Sequence, residues 1–174
     1  MKNLNFNPFK STEDFRKNYQ LHDAAENTGK NLLTQWGIIF NPFGEDKRYS
    51  KVWEKGEDKP DLIISYKNKP AFLDWKGKRK NKWLVNERAI KSYKAWSEKF
   101  NVPVIIVFFV FNESMELTGR KFALVGNHSY KQSAEKQWDK NRTVEFQFEL
   151  PDFNKANFIN TLLMNNNFSF EISG

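Results

Sequence analysis

The chain has 174 residues, a formal net charge of +7, no cysteine and two histidines, His22 and His128. That length, with 39% hydrophobic and 16% aromatic content, fits one globular domain with a substantial core. It excludes disulfides and thiolate zinc sites. Two histidines are too few for a histidine-rich metal site, and no run reaches the roughly 18 apolar residues of a membrane span. With no apolar signal core at the N-terminus, a cytoplasmic protein is expected.

Residues 1–10 read as an arm or clip. Ser11, with Asp14 three places on, resembles a capping box. Phe15, Tyr19, Ala25, Leu32, Leu33 and Trp36 then recur at helical spacing, with an interruption expected near Asn18 and Gln20 and a stop at Gly37. Glu26 lies in this helix, with His22 one turn before it. Gly29 leaves room for the close approach of another backbone or of a nucleic acid. Ile38 to Phe40 is a short strand, and the Gly-, Pro- and charge-rich stretch from Asn41 to Lys59, with Trp53, is a loop.

Leu62 to Tyr66 and Ala71 to Trp75 read as two strands of a hairpin punctuated by Lys67-Asn68-Lys69-Pro70. A turn centred between Lys67 and Asn68 pairs residues whose numbers sum to 135, which sets Asp61 opposite Asp74. Directly opposite residues share a face with Cβ atoms about 5 Å apart, and Lys76, two further along, points the same way. Opposed like charges weaken a hairpin. A divalent cation held by both carboxylates offsets them, and oxygen ligands suit Mg²⁺ or Mn²⁺. The alternatives are that Asp61 is a turn residue and Asp74 a solvent-facing one, or that a bulge or odd-length loop sets them on opposite faces.

A Gly/Lys-rich connector, Gly77 to Lys82, leads to Trp83-Leu84-Val85. Asn86 is placed to cap a helix with apolar positions Ala89, Tyr93, Trp96 and Phe100; Arg88, Lys91 and Ala95 lie off that stripe. Val102 to Phe111 is continuously apolar, as in a strand covered on both faces. Strand, hairpin, helix and buried strand in that order predict a mixed sheet with helices packed on it. Further on, Phe122 to Val125 reads as a strand, as does the alternation of Val144, Phe146, Phe148 and Leu150. Asn154 to Leu163 reads as a helix and Phe168 to Ile172 as a last strand.

Between Lys76 and Lys94 eight basic residues face one acid, Glu87, so this segment alone carries the chain's net charge of +7. Such a run is either a solvated face or the footprint of a polyanion whose counterions are released on binding. Its position next to two candidate metal ligands favours the polyanion.

These residues resemble the PD-(D/E)XK nuclease superfamily, in the branch that includes archaeal Holliday-junction resolvases, phage resolvases and many restriction-type endonucleases. Pro60-Asp61, thirteen positions to Asp74, then Trp75-Lys76 matches the signature, with Asp in the variable acidic position. Glu26 matches the upstream acidic motif, and the helix from Asn86 followed by the strand at Val104 matches the family core. One departure is that some members carry Gln-x-x-x-Tyr on the second helix, whereas the residue four before Tyr93 is Ala89. Tyr93 is therefore expected in the core.

The resemblance implies an α/β, restriction-endonuclease-like αβββαβ core over about residues 12–111. It has a mixed central sheet flanked by helices and a C-terminal β/α extension, 112–174, of unassigned role, all within one nuclease-like domain. It implies a metal-dependent DNA endonuclease, structure-selective in the resolvase manner. Asp61, Asp74 and the Trp75 carbonyl would be ligands for Mg²⁺ (or Mn²⁺), and Glu26 would ligate a second ion or a metal-bound water. Lys76 would orient the attacking water or neutralise the scissile phosphate. Lys78, Arg79, Lys80, Lys82, Arg88 and Lys91 would hold the DNA backbone without reading sequence. It also implies a homodimer, because two strands need two sites. The alternatives are a non-catalytic nucleic-acid-binding protein on the same fold, or an RNA-directed nuclease.

Overall fold

The structure is a computed structural model that describes residues 12–44, 58–126, 129–132, 142–147 and 149–164, with side chains from residue 16 onward except that of Gln132. The Ser11–Asp14 cap, Trp53, His128, Phe148 and the strand expected at 168–172 fall outside the residues and side chains described.

Helix α1 spans Thr12–Gln35 without the interruption expected near Asn18. It ends as its last residues direct. Gly37 adopts φ +73°, its N–H donates to the Thr34 carbonyl, and the Ile38 N–H reaches back to the Leu33 carbonyl at 2.9 Å. This is a Schellman closure, which a residue without a Cβ accommodates. Strand β1 (Ile39–Pro42) pairs antiparallel with β2 (Leu62–Tyr66).

The β2–β3 hairpin has the predicted register: Leu62 faces Leu73, and Tyr66 faces Lys69. Lys67 and Asn68 both have positive φ, 47° and 64°, as a two-residue type I′ turn requires. Strand β3 spans Lys69–Lys78, longer at both ends than Ala71 to Trp75. Pro70 sits before the first β3–β5 partner, Phe72, so its missing N–H breaks no bond of that ladder. At the other end, parallel pairing with β5 (Val104–Phe111) carries Gly77 and Lys78 into the strand, where a connector was expected.

After the short β4 (Leu84–Asn86), helix α2 runs from Glu87 to Phe100. Asn86 does occupy its N-cap position, but makes no side-chain cap bond. The Glu87 N–H donates instead to the Arg142 carbonyl, so a distant segment closes this end. Asn101, at φ 55°, closes the other end with a bond to the Ser97 carbonyl.

Strand β6 (Leu117–Leu124) is longer than the Phe122–Val125 expected and completes a five-stranded sheet of order β1-β2-β3-β5-β6. It is mixed: β3–β5 is parallel and its other pairings are antiparallel. A small second sheet, β4-β8-β7, contains β7 (Tyr130–Gln132), which the sequence does not advertise, and β8 (Thr143–Phe146). Strand β8 ends before Leu150, although Val144, Phe146 and Leu150 are all buried as the alternation predicts. Helix α3 spans Lys155–Met164, and Asn154 Oδ1 caps it by accepting the Asn157 N–H at 2.8 Å.

The β5 side chains are all buried, and their alternation builds two cores. Ile105, Val107 and Phe109 join Leu73, Trp75, α1 and α3 on one face. Ile106 and Phe108 join Phe72, α2 and the small sheet on the other. This is a mixed α/β fold with a mixed central sheet flanked by helices, in the expected order α, three strands, α, strand, with β4 inserted before α2. Among the described residues no helix is long and apolar enough to cross a membrane.

Helix α1 lies unusually close to β3. A Cβ on Gly29 would stand 2.3 Å from the Trp75 ring, and one on Gly77 would stand 2.4 Å from the Leu21 carbonyl oxygen. The neighbour for which Gly29 makes room is the Trp75 side chain, where a backbone or a nucleic acid was expected.

Candidate active site

Where β2 begins, β3 has already run past it, leaving the Trp75 N–H without a partner strand. The Asp61 side chain takes that place: Oδ2 accepts the Trp75 N–H at 2.9 Å. In an antiparallel strand a residue's N–H and C=O point to the same side, so the Trp75 carbonyl faces the same edge. The Asp61 carbonyl is itself held by the Phe43 N–H at 2.8 Å. The beginning of β2 is thereby fixed from two sides.

Asp74 projects from the β3 face opposite Trp75, towards α2, and is only 3% exposed. It lies close enough to Asp61 for a side-chain hydrogen bond between the two acids. Burial, followed by the charge of Asp74, pushes the Asp61 carboxyl up to about 8; the Trp75 N–H and Lys76 work in the opposite direction. The two acids lie together at the end of the hairpin, Asp74 buried and Asp61 half-buried.

Lys76 Nζ stands 2.9 Å from Asp74 Oδ2. That oxygen is buried and has no partner in hydrogen-bonding geometry among the described residues, so the contact is one of charge at ion-pair distance. Burial depresses the Lys76 ammonium, but Asp74, Asp61 and Asp58 outweigh it and raise its pKa above 10.5. Lys76 stays charged.

Two further residues, Tyr93 and Asp58, border the cluster. Tyr93 of α2 directs its hydroxyl to Asp74, and burial followed by the nearby acids pushes that hydroxyl well above its ordinary pKa. It remains a donor. The core position expected for Tyr93 is correct, but the ring carries a polar end, and a buried tyrosine hydroxyl usually finds a partner. Asp58 also bears on Lys76. It is fixed by Arg88, whose Nε is 3.0 Å from Oδ2, and by the Trp96 indole N–H, which donates to its carbonyl. No periodicity or motif in the sequence points to Asp58.

Glu26 is not brought to this cluster. It sits on α1, which packs on the other face of the sheet, with Lys30 Nζ at 2.6 Å and His22 Nε2 at 3.5 Å. Among the described residues no three acidic or histidine side chains converge as a metal cage.

The basic residues divide. Lys78 turns inward: its Nζ donates to the Leu84 carbonyl at 2.7 Å over the Phe108 ring, and burial, then Lys76, lowers it to about 8. It braces β3 against β4 and is not presented to a phosphate. Arg88 and Lys91 are exposed but each faces an acid, Asp58 and Glu87 respectively. Arg79, Lys80 and Lys82 are exposed on the connector after β3, and Arg79 Nη1 donates to the Asn112 carbonyl.

No protein-family profile and no curated protein matches the chain. Among solved structures it is similar to Hjc of Archaeoglobus fulgidus, a Holliday junction resolvase from an archaeal hyperthermophile. The identity is 10% and the TM-score 0.48, over 71% of this chain and 83% of that one.

Proposed function

We propose that this chain is a metal-dependent nuclease that hydrolyses phosphodiester bonds of DNA. The observation that carries this reading is the pair Asp61 and Asp74, within side-chain hydrogen-bond reach of each other, with the Lys76 ammonium 2.9 Å from Asp74.

The donor set suits Mg²⁺ or Mn²⁺. It offers only oxygen, one carboxylate oxygen is buried without a hydrogen bond, and the charge of Asp74 raises the cost of ionising Asp61. Asp61, Asp74 and the Trp75 carbonyl would hold the ion. Such an ion, when bound, activates a water and offsets the charge that builds on the phosphate.

The remaining roles belong to the chain's own groups. The Trp75 N–H and the Phe43 N–H keep Asp61 in place, and Tyr93 orients Asp74. The Lys76 ammonium, a compact point charge, orients the attacking water or neutralises the scissile phosphate. In this conformation Glu26 is engaged by Lys30 and takes no part.

Incubating the protein with plasmid, branched DNA and RNA, with Mg²⁺ or EDTA, tests the reading. Cleavage of DNA in Mg²⁺ that EDTA stops, and that Asp74→Asn reduces at least 100-fold while the fold is kept, is the expected result. No metal-dependent cleavage of any DNA overturns it.

The Glu26–Lys30 pair favours one second reading, a nucleic-acid-binding protein without hydrolysis. In that case Asp61→Ala and Asp74→Ala leave both binding and its salt dependence unchanged.

A further inference from the structure

Two strands end together beyond Lys76, and a helix crosses them. Strand β3 leaves the sheet at Lys78 and continues into Arg79 and Lys80. Strand β5, paired with it up to Val110, leaves at Phe111 and continues into Asn112 and Glu113. Helix α1 crosses above. Its Leu21 carbonyl lies against Gly77, so Lys17, one turn earlier, extends past the strand ends. Between them lies an open cleft of about 670 Å³ lined by Lys17, Arg79, Lys80, Phe111, Asn112 and Glu113.

Three cations and one acid give this cleft a positive balance. Lys17 and Lys80 are exposed. Arg79 is anchored to the Asn112 carbonyl through one of its five N–H donors, which fixes the guanidinium while leaving donors for a second partner. Phe111 is buried and forms the floor. Arg79 and Lys80 follow directly on the strand that carries Asp74 and Lys76, so the cleft continues from the end of that strand.

Resting on the nuclease reading, we propose that this cleft holds the sugar–phosphate backbone of the substrate strand beyond the scissile phosphate, on the side where β3 and β5 leave the sheet. Lys17, Arg79 and Lys80 are its phosphate contacts. Lys17 lies far outside the basic segment from Lys76 to Lys94 and joins it only through the fold.

The test is anisotropy of labelled 20-base-pair duplex DNA in EDTA over a salt series, for the wild type and for Lys17→Ala/Lys80→Ala, with cleavage in Mg²⁺ measured alongside. Both positions are exposed, and an unchanged circular dichroism melt checks the fold. Removing two phosphate contacts is expected to weaken binding about tenfold or more and to lower the slope of log K against log salt by about 1.8. An unchanged slope in a protein that binds and cuts DNA overturns the cleft assignment alone. A lowered slope without any cleavage keeps the cleft as a nucleic-acid site and overturns hydrolysis. A wild type that does not bind nucleic acid overturns both.

Discussion

The Trp75 N–H donates to Asp61 Oδ2 at 2.9 Å across fourteen positions of sequence. One bond does two things: it satisfies a strand donor that has outrun its partner, and it fixes a carboxylate beside Asp74. Leaving that donor unpaired, or releasing that acid, carries a cost of order 1–3 kcal/mol. The end of the hairpin and the beginning of the site are the same feature.

The charge of Asp74 that opposes ionisation of Asp61 should be offset by a divalent cation. Adding Mg²⁺ at about 100 times its dissociation constant should stabilise the wild type by about 2.7 kcal/mol, read as a rise in melting temperature. Asp61→Asn and Asp74→Asn should each lose most of that rise. Equal metal-induced rises in all three proteins would place the binding elsewhere.

The metal-free protein should lose stability as pH climbs. Asp61 titrates at about 8 when folded, against an ordinary value of 3.8. Between those values the folded state holds the extra proton, so the contribution of this group is complete below pH 3.8 and disappears as pH passes 8. Urea unfolding from pH 5 to 9 in EDTA should show the decline, and Asp61→Asn should flatten it. A decline of equal size in Asp61→Asn would assign it to other groups.

Gly29→Ala should be among the more damaging single-methyl additions. The new Cβ would stand 2.3 Å from the Trp75 ring, and overpacking of this kind costs about 1–3 kcal/mol. Trp75→Leu in the same chain should recover part of that loss relative to Trp75→Leu alone, a coupling that a double-mutant cycle in urea measures. Additive losses would mean that the helix simply lifts away.

Much of this was legible because the hairpin's register follows from its turn. Two residues able to take positive φ, Lys67 and Asn68, fix a pairing that puts Asp61 and Asp74 on one face. The buried β5 and the stripe on α2 were equally direct, since burial on both faces and a 3.6-residue period leave different traces. What the sequence hides is set by tertiary pairing. Strand β3 runs on through Gly77 and Lys78 because β5 lies alongside, and Lys78 turns inward because the Leu84 carbonyl is there to receive it. Asp58 belongs to the cluster through Trp96 and Arg88, 38 and 30 positions away. Glu26 shows the opposite case, because the family resemblance implied a ligand while Lys30, one turn on, engages it.

The central claim is that Asp61 and Asp74 share one divalent ion. Crystals soaked in Mn²⁺ and measured at the manganese absorption edge test it most directly. The account predicts an anomalous peak about 2.1–2.2 Å from an oxygen of each carboxylate and near the Trp75 carbonyl, with the Lys76 ammonium beside it. A fully soaked crystal with no peak between those two carboxylates, or with a peak bound to other residues, would contradict it.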